Sequence, residues 1–312
     1  MDASATARRV LSRLEQVGCR GRIVSVQHVN DLKNGIGLSH QQGLFDEVFY
    51  RERLSGFQFR LSETCPEARS IIVTSSPQLQ QKVTFRFEGR TLTFVVPPTY
   101  SGHTDQIAEK AIREALTPAG FTTQAAHLPA KLVAVRSGLA EYGRNNITYI
   151  EGWGSFHRLK VFLSDLPVVD DSWVEAGLMQ QCRQCSACIK KCPTRAIPGD
   201  RFLIRAERCL TFHNEREGEF PGWIDPAWHN CLVGCMLCQT VCPANRGLRQ
   251  RFGPGESFDE EETKLLTKGV SPDELPAPAA DKLKRLGLLE DAVLISRNLN
   301  ALLRQHLPRE CG

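Results

Sequence analysis

With 312 residues, 41% of them apolar and 24% charged, the chain has length for two buried cores and none of the compositional bias of a disordered segment. A net charge of +4 permits a polyanionic partner without demanding one. No apolar run approaches the ~20 residues of a membrane span, and the first residues lack the apolar core of a secretory signal, so a cytoplasmic protein without membrane contact is expected.

In chain order, residues 8–18 predict an amphipathic helix stopped by Gly18, and 22–29 alternate like a strand. Residues 70–74 form a short apolar strand. Residues 83–87 and 91–96 flank Glu88-Gly89-Arg90 with period-two patterning, which predicts a hairpin. Helix is expected over 105–116, strand over 121–128 and helix over 131–139. The interspersed pattern predicts an α+β domain with a mixed sheet over 1–170. A domain rich in Cys, Pro and Arg follows over 171–253. The last segment, 254–312, reads as helical, with amphipathic stretches at 281–289 and 291–303 and the acidic run 259–262 as a solvated helix start.

Cysteine carries the chemistry. Eight of the twelve cysteines lie between 182 and 242, as Cys182-x2-Cys185-x2-Cys188-x3-Cys192-Pro193 and Cys235-x2-Cys238-x3-Cys242-Pro243, with Cys209 between. This is the spacing of a bacterial-ferredoxin-like domain with two [4Fe–4S] clusters, in which the cysteine before each proline ligates the other cluster. One cluster is accordingly assigned to Cys182, Cys185, Cys188 and Cys242. The other takes Cys192, Cys209, Cys235 and Cys238, with Cys209 replacing the ligand that the shortened second motif lacks. Zinc modules also use Cys-x2-Cys pairs, but rarely in this doubled form. The chemistry expected is single-electron transfer. Cys231 is left as a free thiol beside the second cluster, and Cys19, Cys65 and Cys311 as ordinary thiols.

The segment 182–197, with Arg208-Cys209-Leu210 and 234–246, resembles the epoxyqueuosine reductase family. So do Arg136-Ser137-Gly138, Gly143-Arg144-Asn145, Gly154-Ser155-Phe156 and Leu163-Ser164-Asp165-Leu166-Pro167 upstream. The resemblance is clear over about 125–250. It implies an N-terminal cobalamin-binding fold shared with reductive dehalogenases, and clusters that reduce a corrinoid to Co(I) for a two-electron reductive removal. Epoxyqueuosine in tRNA is the implied substrate, with reduced flavodoxin or ferredoxin as the donor. A departure stands beside it. The family carries a proton-donating aspartate about a dozen residues before its arginine, where this chain reads Thr123-Gln124-Ala125-Ala126-His127 without a carboxylate. His127 and Tyr100 are the catalytic candidates for that proton. The other reading is an electron-transfer protein that docks and reduces a corrinoid protein without local catalysis.

The resemblance places Arg136, Tyr142, Arg144 and Asn145 against the corrinoid, with Ser155, Phe156 and His157 beside it. Glycines in both loops allow close backbone approach. His213 and Asn214 are expected to tune cluster hydrogen bonds, and Trp223 and Trp228 to exclude water. Lys282, Lys284, Arg285, Arg297 and Arg304 are the basic positions that can meet an RNA backbone, although such residues are ordinarily solvated.

Overall fold

Among the described residues hydrophobic faces are satisfied in three clusters, two in one unit and one in the other, and the chain passes from unit to unit more than once. The computed structural model describes residues 2–61 and 65–306. One unit comprises Met1–Pro77, His103–Ser186 and Gly199–Ala206; the other comprises Gln78–Gly102, Ala187–Pro198 and Glu207–Gly312. The boundaries expected at 170 and 253 fall inside these units.

The first unit is built on a four-stranded sheet in the order Arg20–Ser25, Ser70–Pro77, His157–Ser164, Thr123–Ala125. Every pairing in it is antiparallel, so the mixed sheet expected here is not found. Ser70–Pro77 is buried at nearly every position because both faces are covered. Ile72 and Phe162 point to one face and meet the helices Ala3–Gln16 and His103–Leu116 through Val10, Leu14, Ile112 and Leu116. Ile71, Val73, Val161 and Leu163 point to the other and meet the helix Ala130–Arg136 through Val133 and Ala134. Alternation along paired strands thus produces a helix–sheet–helix sandwich. The first helix starts where the Asp2 carboxylate accepts from the Ser4 amide, and its buried stripe is Thr6, Val10, Leu14.

The second unit holds a sheet in the order Arg90–Val96, Gln80–Phe87, Phe252–Phe258. The first pair is the expected hairpin, and the second is parallel, so this sheet is mixed. Its parallel partner is irregular, Phe252-Gly253-Pro254-Gly255, with a register shift opposite Gln81 and Val83. Gly255 is obligatory there, since a Cβ would lie 1.8 Å from the Lys82 carbonyl oxygen. Three helices, Glu260–Lys268, Ala277–Leu286 and Ala292–Arg304, cover the sheet through Leu266, Leu283, Ile295 and Leu299. The acidic run does start a helix. Asp259 accepts from the Glu262 amide while the Glu262 carboxylate accepts from the Asp259 amide, a reciprocal cap.

Basic residues of the last helices are largely committed within this unit. Lys282 is bonded to both carboxylate oxygens of Glu262, and Arg285 to Glu256. Arg297 donates to the His213 carbonyl and lies 3.9 Å over the Phe220 ring. Lys284 and Arg304 remain exposed. No described helix is long and apolar enough to cross a membrane.

Candidate functional site

Within the second unit the chain brings three thiols from distant sequence positions together. Cys192 follows the short helix Ala187–Lys191, Cys209 precedes the helix Leu210–Asn214, and Cys235 precedes the helix Leu237–Thr240. Burial pushes the Cys235 thiol up to about 11, and the charges of Cys209 and Cys192 add to the rise. Cys209 is likewise raised, by burial first and by Cys192 as a lesser cause. Thiols that repel each other as anions are neighbours, and a cationic iron–sulfide core relieves that repulsion by binding the thiolates.

The surroundings fit electron-rich sulfur. Cys192 Sγ lies 3.4 Å from the Thr194 hydroxyl. Cys209 is bonded by the backbone and hydroxyl of Thr211 and by the backbone of Phe212. Cys235 Sγ accepts from Asn230 Nδ2 at 3.2 Å and is bonded by the Leu237 backbone. Among the described residues no group of three or more His, Cys, Asp or Glu is placed to hold a single metal ion. A cluster spreads its thiolates around a cube instead of drawing them onto one point.

Cys231 is buried at 1% exposure and sits beside Cys235, donating its proton to Asn230 Oδ1 at 3.1 Å. Cys19 is buried and contacts the Ser76 hydroxyl, Cys65 is half-buried, and Cys311 lies outside the described residues. His213 holds the Glu207 carbonyl and Asn214 the Gly234 carbonyl, so both brace the backbone around the cysteine loops. Trp223 is exposed and packs edge-on to His213.

The expected cofactor residues all lie in the first unit. Gly143 is needed in their loop because a Cβ there would stand 2.5 Å from the Tyr149 ring and 2.6 Å from Asn145 Oδ1. Asn145 is buried and donates to the Tyr149 hydroxyl at 3.0 Å. Arg144 donates to the Cys182 carbonyl at 2.7 Å, which ties the loop to the first cysteine motif. Arg136 reaches Glu175 at 3.2 Å and lies 5.1 Å over Trp173. Tyr142 is buried edge-on to Phe202, and desolvation holds its hydroxyl well above the usual phenol range. Both arginines keep a buried Nε–H with no acceptor, as do Trp173 Nε1 and Arg201 Nε. Buried donors of this kind call for an acceptor. A cleft of about 860 Å³ opens along Gly138 to Glu141 and Trp153, but none of the expected cofactor residues lines it.

Phe156 belongs to the interior at 1% exposure, and Ser155 is buried. His157 Nδ1 faces the Gly154 carbonyl at 3.1 Å and Nε2 the Thr148 hydroxyl at 3.0 Å. Burial lowers its pKa to about 4. The imidazole is therefore neutral, donating through Nδ1 and accepting at Nε2. Because the unfolded chain protonates near 6.5, it binds the proton more readily than the folded one. The contribution is fully present above about pH 6.5 and is lost as pH falls toward 4, worth about 3 kcal/mol in all. We expect His157→Gln to flatten the fall in unfolding free energy between pH 6.5 and 4, measured by urea titration; an unchanged slope would assign the acid sensitivity elsewhere.

His127 is exposed, its ring 5.2 Å from that of Phe57. Tyr100 lies in the other unit, half-buried, with its hydroxyl bonded to the Glu215 carboxylate and pressed against Gly234. Desolvation, with the Glu215 charge as a lesser cause, holds its pKa well above the usual phenol value. The sequence offered no sign of Glu215 or Trp173 in these roles. Asn230, adjacent to a cysteine, was a signal that could have been used.

Residues 181–245 match the family model described as a 4Fe-4S double cluster binding domain, which covers all eight motif cysteines. Over 131 residues the chain is 33% identical to an epoxyqueuosine reductase of Lactococcus garvieae, covering 42% of this chain and 36% of that protein. Over 189 residues it is 31% identical to the epoxyqueuosine reductase of Pseudomonas aeruginosa, covering 58% and 51%. The chain thus spans about a third to about half of the length of these curated relatives. Among solved structures, the epoxyqueuosine reductase of Streptococcus thermophilus superposes with a TM-score of 0.63 at 17% identity, over 95% of this chain and 83% of that one. A crystal structure of epoxyqueuosine reductase with an epoxyqueuosine-modified tRNA-Tyr stem loop superposes with a TM-score of 0.64 at 18% identity, over 99% and 87%. The chain carries a two-[4Fe–4S] segment, is similar in sequence to epoxyqueuosine reductases over up to 189 residues, and shares their fold over nearly its whole length.

Proposed function

We propose that this protein is a reductase whose two [4Fe–4S] clusters pass electrons one at a time to a corrinoid, and that its substrate is epoxyqueuosine in tRNA. The observation that carries the reading is the gathering of Cys192, Cys209 and Cys235 within one unit. These thiolates, with Cys238, hold the second cluster. The first set, Cys182, Cys185, Cys188 and Cys242, rests on motif spacing. Reduced flavodoxin or ferredoxin is the electron source, and the cytoplasm is the compartment where such a tRNA is met.

A bound corrinoid supplies a strongly reducing cobalt centre. Arg136 and Arg144 would hold its acceptor groups with their unpartnered Nε–H atoms. Asn145, Ser155, Phe156 and His157 keep the surrounding loops in shape. Removing an epoxide oxygen as water takes two electrons and two protons. Tyr100 has committed its hydroxyl proton to Glu215, so His127, with its exposed ring, is the proton source.

Anaerobically purified protein is expected to bind about one equivalent of cobalamin, read by absorbance. Arg136→Ala and Arg144→Ala are each expected to weaken binding by about tenfold or more. Absence of any corrinoid binding would remove the reading and leave an electron carrier for a partner corrinoid protein. Queuosine content of tRNA from a deletion strain tests the substrate, and unchanged queuosine would remove it.

A further inference from the structure

We propose that Asn230 is a positioning residue that raises the reduction potential of the cluster to which Cys235 contributes; this rests on the ligand reading above. Asn230 stands five residues before Cys235, just beyond the one-turn helix Pro226–Trp228. Its side-chain amide is fully engaged. Nδ2 donates to the Cys235 sulfur at 3.2 Å and to the Trp228 carbonyl at 3.0 Å. Oδ1 accepts from the Met236 amide at 3.0 Å and from the Cys231 thiol at 3.1 Å.

This pattern settles which way the amide points. A backbone N–H can only donate, so the atom facing Met236 must be the oxygen, and the NH2 group is thereby turned onto the sulfur. Cys231 reinforces the choice from inside the core, where its thiol donates to the same oxygen. Every atom of the amide is held from both sides, so the bond to sulfur cannot swing away when the charge on the sulfur changes.

The electronic consequence follows from that rigidity. An electron entering a [4Fe–4S] cluster increases the negative charge on its sulfurs, thiolate sulfurs included. A fixed N–H donor stabilises the reduced state more than the oxidised one and moves the potential upward. The backbone of Leu237 also bonds Cys235, but substitution leaves that donor in place. Asn230 is the side chain through which the sequence can set the value.

The experiment is an anaerobic redox titration followed by electron paramagnetic resonance on the full chain, after iron and sulfide content has been measured. Asn230→Leu is expected to lower one midpoint potential, with the reduced fraction at a fixed poise falling about threefold to tenfold, and to leave the other midpoint in place. Asn230→Asp preserves shape and the bond to Met236 while placing an acceptor against the sulfur, so it is expected to lower the same midpoint further. Cys231→Ala keeps the amide bonded to Met236 and is expected to leave both midpoints unchanged. A full iron complement with unshifted midpoints in Asn230→Asp overturns the inference. So does a drop in Cys231→Ala as large as that in Asn230→Leu. Wild-type protein without iron and sulfide would instead overturn the cluster reading itself.

Discussion

Cys209→Ala is expected to reduce iron in the anaerobically reconstituted protein from about eight atoms per chain to about four. The second motif has three cysteines where the first has four, so a ligand must come from outside it. Cys209 lies next to Cys192 and Cys235, before the first turn of the helix Leu210–Asn214, and its sulfur already receives bonds from Thr211 and Phe212. Alanine offers no donor atom, and the Cys231 thiol beside Cys235 is turned to Asn230. The remaining spectrum should be that of one cluster. The measurement is iron and sulfide per chain with spin quantitation after dithionite. A variant that keeps the full complement would remove Cys209 from the ligand set and break the assignment of the second cluster. Cys209→Ser offers a weaker oxygen ligand and should retain more iron than the alanine variant while losing it faster to a chelator.

Asn298→Leu should be a costly single change away from the cysteines. Asn298 is 1% exposed in the helix Ala292–Arg304. Its Nδ2 donates to the Asn214 carbonyl at 2.9 Å and to the Leu232 carbonyl at 3.1 Å. The first carbonyl follows Cys209 by five residues and the second precedes Cys235 by three. One amide therefore pins two of the segments that deliver ligands to the second cluster, those of Cys209 and Cys235. Leucine fills the volume but leaves two buried carbonyls without donors and takes the Oδ1 acceptor from Arg297, a loss of about 2–4 kcal/mol. Urea unfolding of the iron-loaded protein should show a lower midpoint with an unchanged slope. Asn300→Leu is the comparison: Asn300 is half-buried and makes one bond, to the Thr267 carbonyl at 2.8 Å, and should cost about 1 kcal/mol. Equal losses in the two variants would refute the bracing role.

Several elements were legible because their residues meet neighbours close in sequence. The hairpin 83–96 and the helix at 105–116 were expected within a few residues of Gln80–Phe87, Arg90–Val96 and His103–Leu116. The helix Val29–Gln41 was missed because the alternation of 22–29 reads as strand to its end, whereas the strand stops at Ser25, whose hydroxyl accepts from the Gln27 amide and begins a turn. The strand Phe252–Phe258 was illegible, since Gly-Pro-Gly signals a loop until a parallel neighbour with a matching irregularity accommodates it. Likewise, two glycine loops with suitable arginines predicted a binding element, but which side chains keep spare donors depends on what surrounds them. Phe156 and His157 prove to be interior, while Arg136 and Arg144 retain unpartnered nitrogens.

From sequence alone came the cysteine ladder and the two-cluster ligand count, because thiolate ligation at short spacing constrains the chain locally, and the resemblance to a reductase family, which the upstream loop motifs carry together with the cysteines. Only the folded molecule decided that the hairpin 80–96 and the last three helices share one core. It alone decided that the Cys209 thiol, expected from the spacing to join Cys192 and Cys235, is a buried neighbour of both, and that an asparagine amide is locked against a cysteine sulfur. Those outcomes depend on which apolar faces find each other across long stretches of chain, and on where each buried donor then finds its acceptor.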